Sequence, residues 1–304
     1  MGDVKPKTAG GYSPDITHSC ERTLLTVLSA FGNLKDTLRL VGGLVPRYLT
    51  PEAPPEVPAH AGTSDVDVVI NLEVLANGDE YASLATQLKA RGFERVTNGD
   101  GNPASWRWKR RVNQHTEVVV ELLRDAGANR PGRAVSINGE EVSAMCIRYA
   151  GITAEWYQEI SVTAELLDGQ GISTERIRFA DVPAFVILKA LAMDQRQEPK
   201  DAADLIHVVR YAGTLDQVAE MFAERIRSGL HKEAMSEGLS ALRLRFCNDQ
   251  HAEGHLKVGP VAYARFHSTG DEDEMMNDQL YAAGLIERLL DLIEVKTGYW
   301  SGNA

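Results

Sequence analysis

Apolar residues recur at helical spacing from near Thr17 through Leu24, Leu25, Val27, Leu28 and Phe31, and Gly32-Asn33 closes the run. The short stretch Leu38-Arg39-Leu40-Val41 then meets Gly42-Gly43, the pattern of a strand stopping at a tight turn. Leu44 to Leu49 predicts a helix with Pro46 tolerated in its first turn. Pro51, Pro54, Pro55 and Pro58 exclude helix or sheet from the loop that follows. Asp65-Val66-Asp67-Val68-Val69-Ile70 is the clearest strand of this half. Glu80 to Arg91 repeats Tyr81, Leu84 and Leu88 at helical spacing, up to Gly92. A flexible turn is expected over Asn98–Pro103, and strands over Ser105–Arg111 and Glu117–Leu123. Shorter strands or connections are expected within Ala134–Ile147 and Ile172–Phe179.

From Asp181 the pattern turns helical. Asp181 is a suitable N-cap with Pro183 in the first turn, and the helix runs through Lys189 to about Met193. Gln197-Glu198-Pro199 breaks it. Further helices are predicted over Lys200–Tyr211, Leu215–Arg227, Lys232–Phe246 and Glu272–Val295. This gives a loose leader (1–15), a mixed α/β core (16–180) and an all-helical domain (181–304), without internal repeats.

The 304 residues are 43% hydrophobic and 25% charged, which is the balance of a chain with a packed core. No run approaches the length of a membrane span. The N-terminus lacks a signal-peptide stretch, and three scattered cysteines do not suggest a disulfide framework or a clustered Cys zinc site. A reduced, cytoplasmic protein without membrane contact is the expectation. The formal net charge of −11 excludes coating of nucleic acid through the overall field and favours a cationic small molecule electrostatically.

Chemistry concentrates where the glycine turn precedes Ser64-Asp65-Val66-Asp67. Side chains two apart on a strand project to one face, roughly 6–7 Å apart at Cα, so Asp65 and Asp67 point together while Val66 and Val68 enter the core. Two carboxylates on one face repel unless a cation sits between them, and Mg²⁺ suits hard oxygen ligands shared with phosphates. Gly42 and Gly43 offer bare backbone N–H groups to a triphosphate. Glu121 lies inside the apolar run Val118–Leu123 and needs a partner there. Glu117 has the same parity and is the alternative third acid. No P-loop, Rossmann fingerprint or nucleophile elbow is present.

Gly42-Gly43, Asp65-Val66-Asp67 and Glu121 together resemble the three-part signature of the polymerase-β-like nucleotidyltransferases. Lys189 to Arg196, followed by Pro199-Lys200-Asp201-Ala-Ala-Asp204-Leu205, is similar to the helical motifs of the AbiEii-type nucleotidyltransferase toxins. The resemblance covers roughly residues 38 to 212. The Gly43–Asp65 gap is longer than is usual in the family, and the third acid is Glu rather than the commoner Asp. The resemblance implies a nucleotidyltransferase-fold mixed sheet followed by helices. It also implies transfer of an NMP from an NTP to a macromolecular acceptor, tRNA or protein, in a toxin–antitoxin or abortive-infection (phage defence) setting with a separately encoded antitoxin. Asp65, Asp67 and Glu121 would hold two Mg²⁺ ions, with Mn²⁺ as a substitute, and Glu121 would help deprotonate the attacking hydroxyl. Gly42, Gly43, Ser64, Lys189, Arg196 and Asp204 would serve the nucleotide, with Lys189 neutralising the pyrophosphate. Asp201 would accept from Lys189 or order the substrate end.

Other readings stand beside this one. Lys189 and Arg196, seven apart on one helix face, would otherwise simply pin two helices through Asp201 or Asp204, a surface pairing worth under about 1 kcal/mol. On the catalytic reading, Lys189→Ala is expected to abolish activity while the melting midpoint barely moves. Trp106-Arg107-Trp108-Lys109-Arg110-Arg111 is either an RNA-binding stretch or a strand with one packed aromatic face and one charged face. His251-Ala-Glu253-Gly-His255 reads as a loop, and Asp271–Glu274 as a helix N-terminus. The rival functions are an aminoglycoside-type small-molecule nucleotidyltransferase and a catalytically inactive fold kept as an interaction module.

Overall fold

A computed structural model describes residues 6–70, 84–97, 101–137, 141–196 and 198–299. The chain divides into two units. Among the described residues the first comprises Tyr12–Val45 and those within 62–180; the second comprises Pro6–Gly11, Pro46–Ala61 and those within 181–299.

The first unit is built on a mixed sheet. Its strands are β1 (Leu38–Val41), β2 (Asp65–Ile70), β3 (Glu94–Thr97), β4 (Pro103–Arg111), β5 (Glu117–Asp125), β6 (Ala134–Ser136), β7 (Ser143–Ile147), β8 (Tyr157–Glu165) and β9 (Ile172–Ala180). The spatial order is β3-β4-β5-β2-β1-β9-β8, with β7 also pairing β5 and β6 pairing β7. β2 runs antiparallel to β1 and parallel to β5. Helix α1 (Pro14–Phe31) lies against β2, β5 and β9, burying Leu24, Leu25, Val27 and Leu28. Across the sheet, Val66, Val68, Val118, Val120 and Leu122 are fully buried, so alternate positions of β2 and β5 supply the core. A short helix α3 (Leu84–Ala90) follows β2 in sequence, α2 belonging to the second unit; the start of the helix expected from Glu80 lies outside the described residues.

Several boundaries differ from the sequence expectation. α1 begins at Pro14, because the Ser13 side chain accepts from the Asp15 amide and caps it, so the leader is shorter than expected. Residues 6–11 and 46–61 group with the helical unit rather than with the sheet. Pro103 opens β4, a position where a missing N–H costs no ladder bond; of the expected turn before it, 98–100 lie outside the described residues. β8 was not anticipated from the sequence: Ile160, Val162 and Ala164 alternate along it, but most of its positions are exposed and none is buried.

The second unit consists of α2 (Pro46–Leu49), α4 (Val182–Gln195), α5 (Pro199–Tyr211), α6 (Leu215–Ser228), α7 (Lys232–Phe246), α8 (Val258–His267) and α9 (Glu272–Thr297). α4 is buried almost all round, from Val182 to Ile187 and again at Lys189–Leu191, and it packs against α5, α6 and α7. Gly238 on α7 permits the closest approach: a Cβ there would stand 2.7 Å from Ile187 Cγ2 and 2.8 Å from Cγ1. α8 was unexpected, since Gly259-Pro260 reads as a breaker. The proline sits in the helix's first turn, and Gly259 is required because the Phe246 ring fills the Cβ space at 2.5 Å. The His251–His255 segment is a loop leading into a 3₁₀ turn over Gly254–Leu256. No described helix is long and apolar enough to cross a membrane.

Candidate functional site

The candidate residues fall into two groups, one in each unit. In the sheet unit, β1 pairs β2 so that Val41 lies opposite Asp67, and the chain then turns at Gly42 with φ +72°. That register brings the turn against the Asp67 side chain. A Cβ on residue 42 would overlap the Asp67 carboxylate, 2.8 Å from Cγ and closer still to Oδ2. Both the positive φ and the missing side chain are therefore required at this position.

Asp65 is buried, 8% exposed, and its Oδ1 accepts from the Thr63 hydroxyl at 2.9 Å; Asp67 is half-buried. Ser64 stands half-buried immediately before β2. On the neighbouring strand, Glu121 occupies the position opposite Asp67, and Val119 the position opposite Asp65. Glu121, rather than Glu117, is thus the acid beside the aspartates. Its burial is compensated from the other side: Arg107 of β4 lies opposite it and places Nε 3.0 Å from Oε1. Glu117 is taken up by Lys109 at 3.2 Å. The aromatic–basic stretch on β4 accordingly has Trp108 fully buried, with Arg107 and Lys109 facing acids of β5.

Among the described residues no group of three or more His, Cys, Asp or Glu side chains is arranged to hold a metal ion. The chemistry of Asp65 and Asp67, oxygen donors on one strand face beside a glycine bend, suits a hard divalent cation. The third donor does not converge with them, because the Glu121 carboxylate is turned to Arg107.

In the helical unit, Lys189 projects from α4 and donates to Asp201 Oδ1 and Asp204 Oδ2, both at 2.7 Å. Arg196 completes a bidentate contact to Asp201, with Nε to Oδ2 at 2.8 Å and Nη2 to Oδ1 at 3.1 Å. Lys200 reaches Asp204 Oδ1 at 2.6 Å from one helical turn earlier, and His60 Nε2 lies 2.8 Å from the same oxygen. Asp204 is completely inaccessible and Lys189 only 7% exposed. The expectation of a surface pairing is therefore corrected: an ammonium on a helix buried all round requires these carboxylates as counter-charges. Burial alone would lower the Lys189 pKa, but Asp201 and Asp204 outweigh it and hold it above the ordinary value. Burial likewise pushes Asp204 up, yet Lys189, Lys200 and His60 keep it ionised far below the usual carboxylate range.

Thr63 and His60 were not singled out in the sequence, and Arg107 and Lys200 stood there only inside longer motifs. Lys200–Asp204 was legible as an i,i+4 pair. Thr63 reaches Asp65 only two residues away, Arg107 depends on strand register, and His60 depends on a contact 144 residues apart.

No family model matches the chain. No curated protein sequence matches it. A solved structure that it resembles is the crystal structure of JHP933 from Helicobacter pylori, at 11% identity and a TM-score of 0.39, covering 93% of this chain and 95% of that one. At that distance nothing about the site is taken from it.

Proposed function

We propose that the chain is a nucleotidyltransferase of the polymerase-β-like kind that moves an NMP from an NTP to a macromolecular acceptor, tRNA or protein. The observation that supports this most is the Gly42 bend against Asp67, with Asp65 on the same strand face and Glu121 opposite on the next strand. Asp65 and Asp67 would hold Mg²⁺, or Mn²⁺ in its place; when bound, the ion withdraws charge from the phosphates and from the attacking hydroxyl. The backbone N–H groups of Gly42 and Gly43 would donate to phosphate oxygens at the bend. The hydroxyl oxygen of the acceptor bonds to the α-phosphorus, the bond to the bridging α–β oxygen breaks, and pyrophosphate departs. Glu121 takes the hydroxyl proton on Oε2, since Arg107 occupies Oε1. The network of Lys189, Arg196, Asp201 and Asp204 holds α4 to α5. The toxin setting and the separately encoded antitoxin follow only from the resemblance.

The test is transfer of label from each of four α-labelled NTPs, with Mg²⁺, to total RNA, to protein or to an aminoglycoside. Label on RNA or protein that disappears in Asp67→Asn supports the proposal, and label on the aminoglycoside alone replaces the acceptor class. The Arg107–Glu121 pair favours a second reading, an inactive fold kept as an interaction module. Absence of transfer to every acceptor selects that reading.

A further inference from the structure

Within the helical unit a cavity of about 290 Å³ opens between residues 58–61, α5 and α8. That volume lies near the lower end for small-molecule sites. Its lining is rich in rings. His60 and His207 meet edge to face at 4.9 Å, His207 and Tyr211 follow at 5.0 Å, and Tyr263 and His267 lie at 4.9 Å on α8.

The hydrogen-bonding state of the imidazoles follows from their partners. Asp204, ionised between its lysines, can only accept, so His60 Nε2 carries the proton and its Nδ1 presents a lone pair. Thr50 donates its hydroxyl proton to the Pro46 carbonyl at 2.7 Å, so at His207, 3.0 Å away, it must accept. His207 therefore also carries its proton on Nε2. Burial, reinforced by His60, lowers the His207 pKa to about 3, and burial lowers His60 and His267 as well, so all three rings are neutral near pH 7.

Charge enters the cavity lining through Arg210. The guanidinium lies 4.9 Å from the Tyr211 ring centre and 4.7 Å from that of Tyr281, and among the described residues it makes no ion pair. Behind His60, Lys189, Lys200 and Arg196 pair with Asp201 and Asp204. Asp278 acts electrostatically on Arg210 as well as on Tyr263 and His267, and Asp204 also acts on His267, so these carboxylates oppose the positive field at the cavity.

We infer that this cavity binds a planar aromatic molecule carrying one anionic group, with its ring against the aromatic side chains and its charge at Arg210. The shared chemistry fits an aromatic carboxylate or a nucleoside monophosphate. The inference is independent of nucleotidyl transfer.

Calorimetric titration of the full chain with indole-3-acetate and with AMP, each beside its uncharged counterpart (indole-3-acetamide, adenosine), tests it. The expected result is saturable binding of at least one anion, at least tenfold weaker for its uncharged counterpart and at least tenfold weaker in Arg210→Gln. Imidazole ¹H–¹⁵N spectra of the unmodified chain should show shifts at His207 and His267 on binding, a readout independent of whether the variant folds. No saturation by either anion at millimolar concentration, equal binding of the uncharged counterpart, unchanged affinity in a folded Arg210→Gln, or unmoved histidine signals would each overturn it.

Discussion

The carboxylate of Asp67 stands in the space that a side chain on residue 42 would need. Gly42→Ala must therefore rotate that carboxylate aside and also adopt a positive φ, which costs an L-residue about 1–2 kcal/mol. Because the obstructing atoms are the far end of a side chain, the fold should survive with its melting midpoint lowered by a few degrees. Label transfer, which on the proposed mechanism depends on the Asp67 carboxylate, should fall by at least a hundredfold. Transfer at the wild-type rate in Gly42→Ala would detach the glycine bend from any catalytic role.

Lys189→Ala should be damaging to stability. It strands Asp201 and Asp204 in the interior with fewer counter-charges, a loss of about 3–5 kcal/mol, moderated because Arg196 and Lys200 remain. The midpoint should drop on the order of 10 °C by calorimetry. A drop under about 2 °C would mean that the ammonium is not the counter-charge that the geometry indicates. This reverses what the sequence suggested, and the reason is visible in α4: the helix carries few polar residues, but only its position among α5, α6 and α7 reveals that even its lysine lies inside.

Acid sensitivity should begin well above the carboxylate range. The folded pKa of His207 lies below its unfolded value of 6.5, at about 3, so the unfolded chain binds the proton first. The associated stability is complete above pH 6.5 and is lost as pH falls from there toward 3. One such proton gives a slope of about 1.4 kcal/mol per pH unit. His60 acts in the same direction. In His207→Gln, which keeps an N–H donor for Thr50, urea unfolding between pH 4.5 and 6.5 should show a slope smaller by about that amount. An unchanged slope would show that His207 titrates normally in the folded chain.

Gly238→Ala tests the helix contact. A methyl group there meets the branched carbons of Ile187, and overpacking of this kind costs about 1–3 kcal/mol, against up to about 1 kcal/mol gained from helix propensity. Net destabilisation is expected in a thermal melt, with Ile187→Ala in the same chain relieving part of it. A stabilised Gly238→Ala would indicate that α4 and α7 separate easily.

The sequence disclosed the elements with strong local signals. β1 ending at Gly42-Gly43, β2 with its two aspartates, and α4 capped by Asp181 were all legible, because caps, turns and periodicity act over a few residues. β8 was missed since both of its faces are largely exposed, and α8 because its glycine serves the Phe246 ring rather than a turn. The site was legible as a set of acids but not in its pairings. That Glu121 rather than Glu117 stands by Asp67 follows from register between strands far apart in sequence, and that Arg107 holds it follows from the register of the β4–β5 hairpin. His60 meeting Asp204 depends on the tertiary fold alone.

The excursion of residues 46–61 between two strands of the sheet unit has a consequence for biosynthesis. As the nascent polypeptide leaves the ribosome, Thr50 and His60 emerge about 150 residues ahead of His207 and Asp204, their partners on α5. Neighbouring β1 and β2 can join early, but the proline-rich segment linking them has nowhere to dock until α5 is synthesised. Ribosome-bound chains halted near residue 180 should therefore expose that segment to protease, and chains halted beyond about residue 260, once α5 has cleared the exit tunnel, should shield it.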